Sequence, residues 1–116
     1  MDNQQIFDKA VKGLASQGFK RSMRSGTKEC AYRGEGCRRC AIGWLIPNSN
    51  YSTKLEGKTS VYIDVRQAAG LKHDQQAFAR RLQDAHDYAK NEYGVKENLL
   101  EVASSFNLKI PEVLQA

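Results

Sequence analysis

The sequence predicts an α+β, mostly α fold: a small single domain of about four helices with a short β-hairpin or an irregular Cys/Gly-rich segment. Three observations predict it. The chain has 116 residues, enough for one hydrophobic core and too few for two. Apolar residues recur at helical spacing near both ends. Between them, three cysteines and a Gly-Glu-Gly turn crowd into residues 30–40, where no helical period runs.

The first element is a helix from about residue 3 to 16. Ile6, Phe7, Ala10, Val11 and Leu14 paint one stripe at its i, i+4 spacing. Asp2 with Gln5 three positions on forms the pattern of a capping box, and Gly18 suits the left-handed residue after the last turn. Residues 20–29 scatter Ser, Gly and Thr among basic side chains and read as a loop that carries charge, not core. From Cys30, two short strands around Gly34-Glu35-Gly36 are one solution, because glycine accepts the positive φ of a tight hairpin. The run Ala41–Ile46 fits a strand or a buried helical turn equally, and Pro47 ends it either way.

A short helix is predicted at about 61–69, closed by Gly70. Asp74 then caps the clearest helix in the chain, with Phe78, Leu82, Ala85 and Ala89 as its inner stripe and Gly94 as its end. A last helix runs from about Lys96 to Phe106, before a tail broken by Pro111.

Composition narrows the function classes. The longest uncharged run, Cys40 to Thr53, is interrupted by Pro47 well short of the ~20 apolar residues of a membrane span. The opening Met1-Asp2-Asn3-Gln4-Gln5 lacks a basic start and an apolar stretch, which predicts a cytoplasmic protein with no membrane partner. The net charge is +5 and unevenly spread. Residues 20–39 hold Lys20, Arg21, Arg24, Lys28, Arg33, Arg38 and Arg39 against only Glu29 and Glu35. Such a patch attracts anionic partners without specifying which.

The sulfurs form Cys30-x6-Cys37-x2-Cys40. Three readings stay open. Cys30 and Cys40 fill the core as small hydrophobes while Cys37 is exposed; or Cys30, Cys37, Cys40 and His86 hold zinc, since a CxxC knuckle supplies two tetrahedral ligands; or Arg38 and Arg39 stabilise a redox thiolate between Cys37 and Cys40. Thiol, imidazole and carboxylate are also the parts of a nucleophile system. His86 and Asp87, however, are adjacent helix residues that point about 100° apart, so Asp87 is not expected to orient His86. Tyr32 and Arg33 beside Arg38 and Arg39 pair a stacking ring with guanidinium groups, a combination that grips phosphates or single strands. No helix-turn-helix, RNP strand or Walker loop accompanies them. Trp44, amid Ile42, Leu45 and Ile46, reads as a core anchor.

Cys30-Ala31-Tyr32-Arg33, Gly36, Cys40-Ala41-Ile42-Gly43, Leu45-Ile46-Pro47 and Tyr51, with Leu82-Gln83-x-x-His86-Asp87 far downstream, carry a resemblance. The chain resembles a family of small uncharacterised phage, prophage and bacterial proteins with a CxYR…CAxGxLIP core and an LQxxHD helix. It departs from that pattern at Cys37, an extra thiol, and at Asn48, where an acidic residue is usual. The resemblance implies that the two motifs pack together, with Arg33 reaching Asp87 or His86 bonding near Cys40 as a clasp. It also implies a phage or prophage setting and, with it, the host cytoplasm.

The expectation is therefore a small non-enzymatic binding protein, a phage-encoded modulator or inhibitor of a host protein or ribonucleoprotein such as a defence complex. Its partner-binding residues are Lys20, Arg21, Arg24, Lys28, Tyr32, Arg33, Arg38 and Arg39, facing an acidic surface. The alternatives are a zinc- or cysteine-dependent site at Cys30, Cys37, Cys40 and His86, or a nonspecific nucleic-acid binder.

Overall fold

The apolar stripes of four helices meet in one core, and a long irregular segment between the first two is tied onto it by polar side chains. A computed structural model describes residues 1–27 and 29–115. The helices are α1 (Asn3–Ser16), α2 (Ile63–Ala69), α3 (Gln76–Asp87) and α4 (Glu92–Ser105). The fold is mostly α, as the sequence predicts, and the Cys/Gly-rich stretch takes the irregular form.

α1 begins with the expected capping box. The Asp2 carboxylate accepts the Gln5 N–H at 2.8 Å, and the Gln5 side chain accepts the Asp2 N–H at 2.9 Å. Its stripe Ile6, Phe7, Ala10, Val11 and Leu14 is fully buried. α3 and α4 pack on each other, and Phe78 meets Phe106 edge to face with ring centroids 5.0 Å apart. α1 lies against the 3-10 turn Gly43–Leu45 and the C-terminal turn Glu112–Leu114.

Three boundaries differ from the sequence reading. Asp74 does not cap α3, because it sits inside a preceding 3-10 turn, His73–Gln75, whose start is closed by Gln75 accepting the Lys72 N–H at 3.0 Å. Gly94 does not end α3; it lies in the first turn of α4, where the Asn91 side chain accepts its N–H at 3.0 Å. α4 thus starts four residues earlier than expected. The hairpin around Gly34–Gly36 is absent among the described residues, where the only β pairing is a single antiparallel bridge, Met23 to Cys30. The backbone of residues 29–35 bonds to that of 22–24 and not to that of 40–46: Ala31 N donates to Ser22 O, Arg24 N to Glu29 O and Glu35 N to Met23 O. Gly34 permits this approach, since a Cβ there would lie 2.3 Å from the Met23 carbonyl oxygen.

Four side chains then hold the irregular backbone. Gln17, just past α1, brackets Arg39, accepting its N–H at 2.9 Å and donating to its carbonyl at 2.7 Å. The Glu56 carboxylate accepts the N–H groups of Tyr32 and Arg33 and the Tyr51 hydroxyl. Gln83, buried on α3, accepts the Ile42 N–H at 2.9 Å, and Asn50 donates to Ala68 O at 3.2 Å. Each satisfies backbone or side-chain groups that a loop at the core would otherwise leave unpaired.

Candidate functional site

The two motifs do pack together, but through different residues from those expected. Ser22 is fully buried, so the 20–29 stretch contributes to the core as well as to the charge. Its backbone N–H donates to His86 Nε2 at 2.8 Å, and its hydroxyl donates to Arg38 O at 3.1 Å. Arg21, not Arg33, reaches α3: its guanidinium donates to the Asp87 carbonyl at 2.8 Å and to Cys30 Sγ at 3.4 Å.

Asp87 does orient His86, with Nδ1 and Oδ1 2.8 Å apart, contrary to the argument from helical angles. Gln83, one turn earlier, donates to the same oxygen at 2.7 Å and draws the carboxylate across the helix end. Because Nε2 accepts from Ser22, Nδ1 carries the proton and donates to Asp87. Both imidazole nitrogens are thereby used.

This tautomer decides the chemistry of the sulfur cluster. Among the described residues, Cys30, His86 and Asp87 are the group whose ligand atoms come within 4.8 Å of one another. Cys37 is exposed and Cys40 is buried, its sulfur accepting the Gly43 N–H at 3.4 Å, so neither joins the expected zinc set. Zinc on Nδ1 would require the proton on Nε2, where it would face the Ser22 N–H donor to donor; the donor set does not suit the metal. Nor does His86 offer Cys30 a base, since its lone pair is already engaged. Burial and the neighbouring Asp87 charge push the Cys30 thiol up, against the pull of Arg21. These side chains form the structural clasp between segment and helix.

The predicted basic surface is split by the fold. Arg33 stacks on Tyr51 with its guanidinium carbon 4.2 Å from the ring centroid and donates to Ile46 O at 3.2 Å. Arg39 lies over Trp44 at 4.9 Å and donates to Asn48 Oδ1 at 3.3 Å. Arg24 pairs with Glu29 at 3.3 Å on the surface. Tyr32 is 5% exposed, and its hydroxyl donates to Lys58 O, so it is not a stacking platform. Lys28 lies outside the described residues.

Lys20 is exposed and Arg38 half-buried, and they are joined by a residue that the sequence reading did not single out. A shallow depression of about 390 Å³ is lined by Lys20, Arg21, Arg38 and Lys90, with Met23, Asn91 and Glu92 completing its rim. Four cations from two distant stretches thus surround one concavity with a single carboxylate. The sequence reading placed Lys90 inside the predicted helix that Gly94 ends, off its apolar stripe, where nothing tied it to the basic run. A larger groove of about 490 Å³ opens beside Cys30, but Glu29, Asp84 and Asp87 face Lys58 and Arg80 across it, which leaves no cationic excess. Burial, together with the Asp87 charge, raises Asp84 there against the pull of Arg80 and Arg81. No helix among the described residues is long and apolar enough to cross a membrane. Compared with family models, curated proteins and solved structures, the chain gives no match.

Proposed function

We propose that the chain is a non-enzymatic binding protein that engages an anionic surface of a host protein or ribonucleoprotein, acting as a phage-encoded modulator. One observation carries the reading: Lys20, Arg21, Arg38 and Lys90 converge on one depression, with Glu92 the sole carboxylate among its lining residues. A concave, same-sign cluster focuses its field outward and raises the encounter rate with anions. Arg21 is fixed there by Asp87 O, so part of the charge is pre-organised before any partner arrives. The phage setting rests on the motif resemblance.

The test is a paired reversal, Lys20→Glu with Lys90→Glu, both at exposed positions outside the core. Capture of a partner from bacterial lysate at moderate salt is expected to be lost, while the thermal midpoint moves by no more than about 2 °C. Capture that is indifferent to the reversal would remove the reading.

A further inference from the structure

Resting on that reading, we infer that the anionic ligand is a single nucleic-acid strand, its phosphates held in the cationic depression and its bases stacked on Tyr88 and Tyr93. These are the two most exposed large apolar side chains among the described residues, at 80% and 71% exposure. Neither ring packs on another, and neither hydroxyl has a hydrogen-bond partner among those residues. They flank Lys90, Tyr88 just past the end of α3 and Tyr93 in the first turn of α4, directly after Glu92 on the rim. Two residues of chain reach at most about 7 Å, so the Tyr88 backbone lies within that distance of Lys90, while its side chain lines the adjoining groove beside Cys30, to whose sulfur Arg21 of the depression donates.

The combination separates this ligand from other anions. An acidic peptide would use the cations and leave both rings idle. A duplex keeps its bases stacked inside and offers a flat ring nothing to cover. A single strand uses both, because each unpaired base presents a π-face while its phosphates track the positive groove. The first N–H groups of α4, at Glu92 and Tyr93, have no acceptor within the helix and add to the anion-binding character of the rim. Arg33, Arg39 and Tyr32, the groups that first suggested strand binding, are engaged within the fold and contribute nothing here.

Fluorescence anisotropy of the full chain with labelled mixed-sequence RNA and DNA 20-mers tests this, with the matching duplex and polyglutamate as controls. The single strands are expected to bind more tightly than the duplex, with an affinity that falls steeply as salt rises. Tyr88→Ala and Tyr93→Ala are each expected to weaken strand binding about tenfold and to leave polyglutamate binding unchanged. Lys90→Glu weakens both, and Glu92→Gln strengthens both by removing the one opposing charge. Equal affinity for RNA and DNA assigns recognition to phosphate and base faces, whereas an RNA preference adds the 2′-hydroxyl; either supports the inference. Strand binding insensitive to both tyrosine variants overturns it. So does absence of strand binding, and if the Lys20→Glu/Lys90→Glu chain then still loses lysate capture, the broader reading stands alone. Lysate capture unaffected by that reversal, with no strand bound, overturns both.

Discussion

The backbone N–H of Ser22 donates to the fully buried Nε2 of His86 at 2.8 Å, tying the first irregular turn to the end of α3. With Asp87 on the other nitrogen, the imidazole bridges two chain segments and is spent in doing so. His86→Ala would orphan the Ser22 N–H and open a cavity, with an expected loss of about 3 kcal/mol in urea unfolding. Asp87→Asn keeps an acceptor oxygen facing Nδ1, and its cost should be about 1 kcal/mol. Equal effects from the two changes would mean that the bridge is not what His86 supplies.

Glu56 gathers three donors on one carboxylate, with Tyr32 N at 2.9 Å, Arg33 N at 3.1 Å and the Tyr51 hydroxyl at 2.7 Å. Glu56→Ala is expected to cost about 3 kcal/mol, since bonds to an ionised acceptor are the stronger kind. Glu56→Gln should recover little of this, because its NH₂ would face a donor. A glutamine variant as stable as the parent chain would show that one acceptor oxygen suffices.

Gly13 and Trp44 are matched in shape. A Cβ at Gly13 would lie 2.3 Å from the indole ring, so Gly13→Ala must displace the chain's single tryptophan. Displacement separates Trp44 from Arg39 and breaks the indole N–H bond to Gln17 Oε1 at 3.2 Å. The expected results are a red shift of tryptophan emission and a loss of about 1–3 kcal/mol. Unaltered emission would place the ring elsewhere.

How much of this was legible depended on the range of the interaction. The α1 cap could be read because Asp2 and Gln5 act three positions apart, and the α1 and α3 stripes because burial repeats with the helix. α4 was read short because Gly94 looks like a terminator until Asn91 is seen capping it. The irregular segment has no period to read, because Gln17, Glu56 and Gln83 hold it, and such polar residues look like surface in a sequence. The candidate site was half legible: Lys20, Arg21 and Arg38 stood in the basic run, while Lys90 joins them only through folding. Nothing local marked Arg33 and Arg39 as residues that would stack on the chain's own rings.

The three thiols should separate by reactivity and by pH. Cys37 is exposed, Cys30 half-buried and Cys40 fully buried. At neutral pH a thiol reagent is expected to label Cys37 first and Cys30 slowly, and to reach Cys40 only on unfolding; Cys37→Ser removes the fast phase. Burial, and secondarily the Asp87 charge, pushes the Cys40 thiol well above the ordinary cysteine range. Above pH 9 the unfolded chain therefore releases a proton that the folded chain keeps, so rising pH favours unfolding. The stability contributed by the protonated thiol is complete below pH 9 and declines above it, at up to about 1.4 kcal/mol per pH unit. Burial and the Glu56 bond push the Tyr51 hydroxyl up to about 12, which steepens the decline once free tyrosine ionises. Cys40→Ala lowers stability at neutral pH by leaving a small void, yet its pH profile should be flatter just above pH 9. Parallel profiles for the two chains would show that the buried thiol is not the source of the alkaline loss.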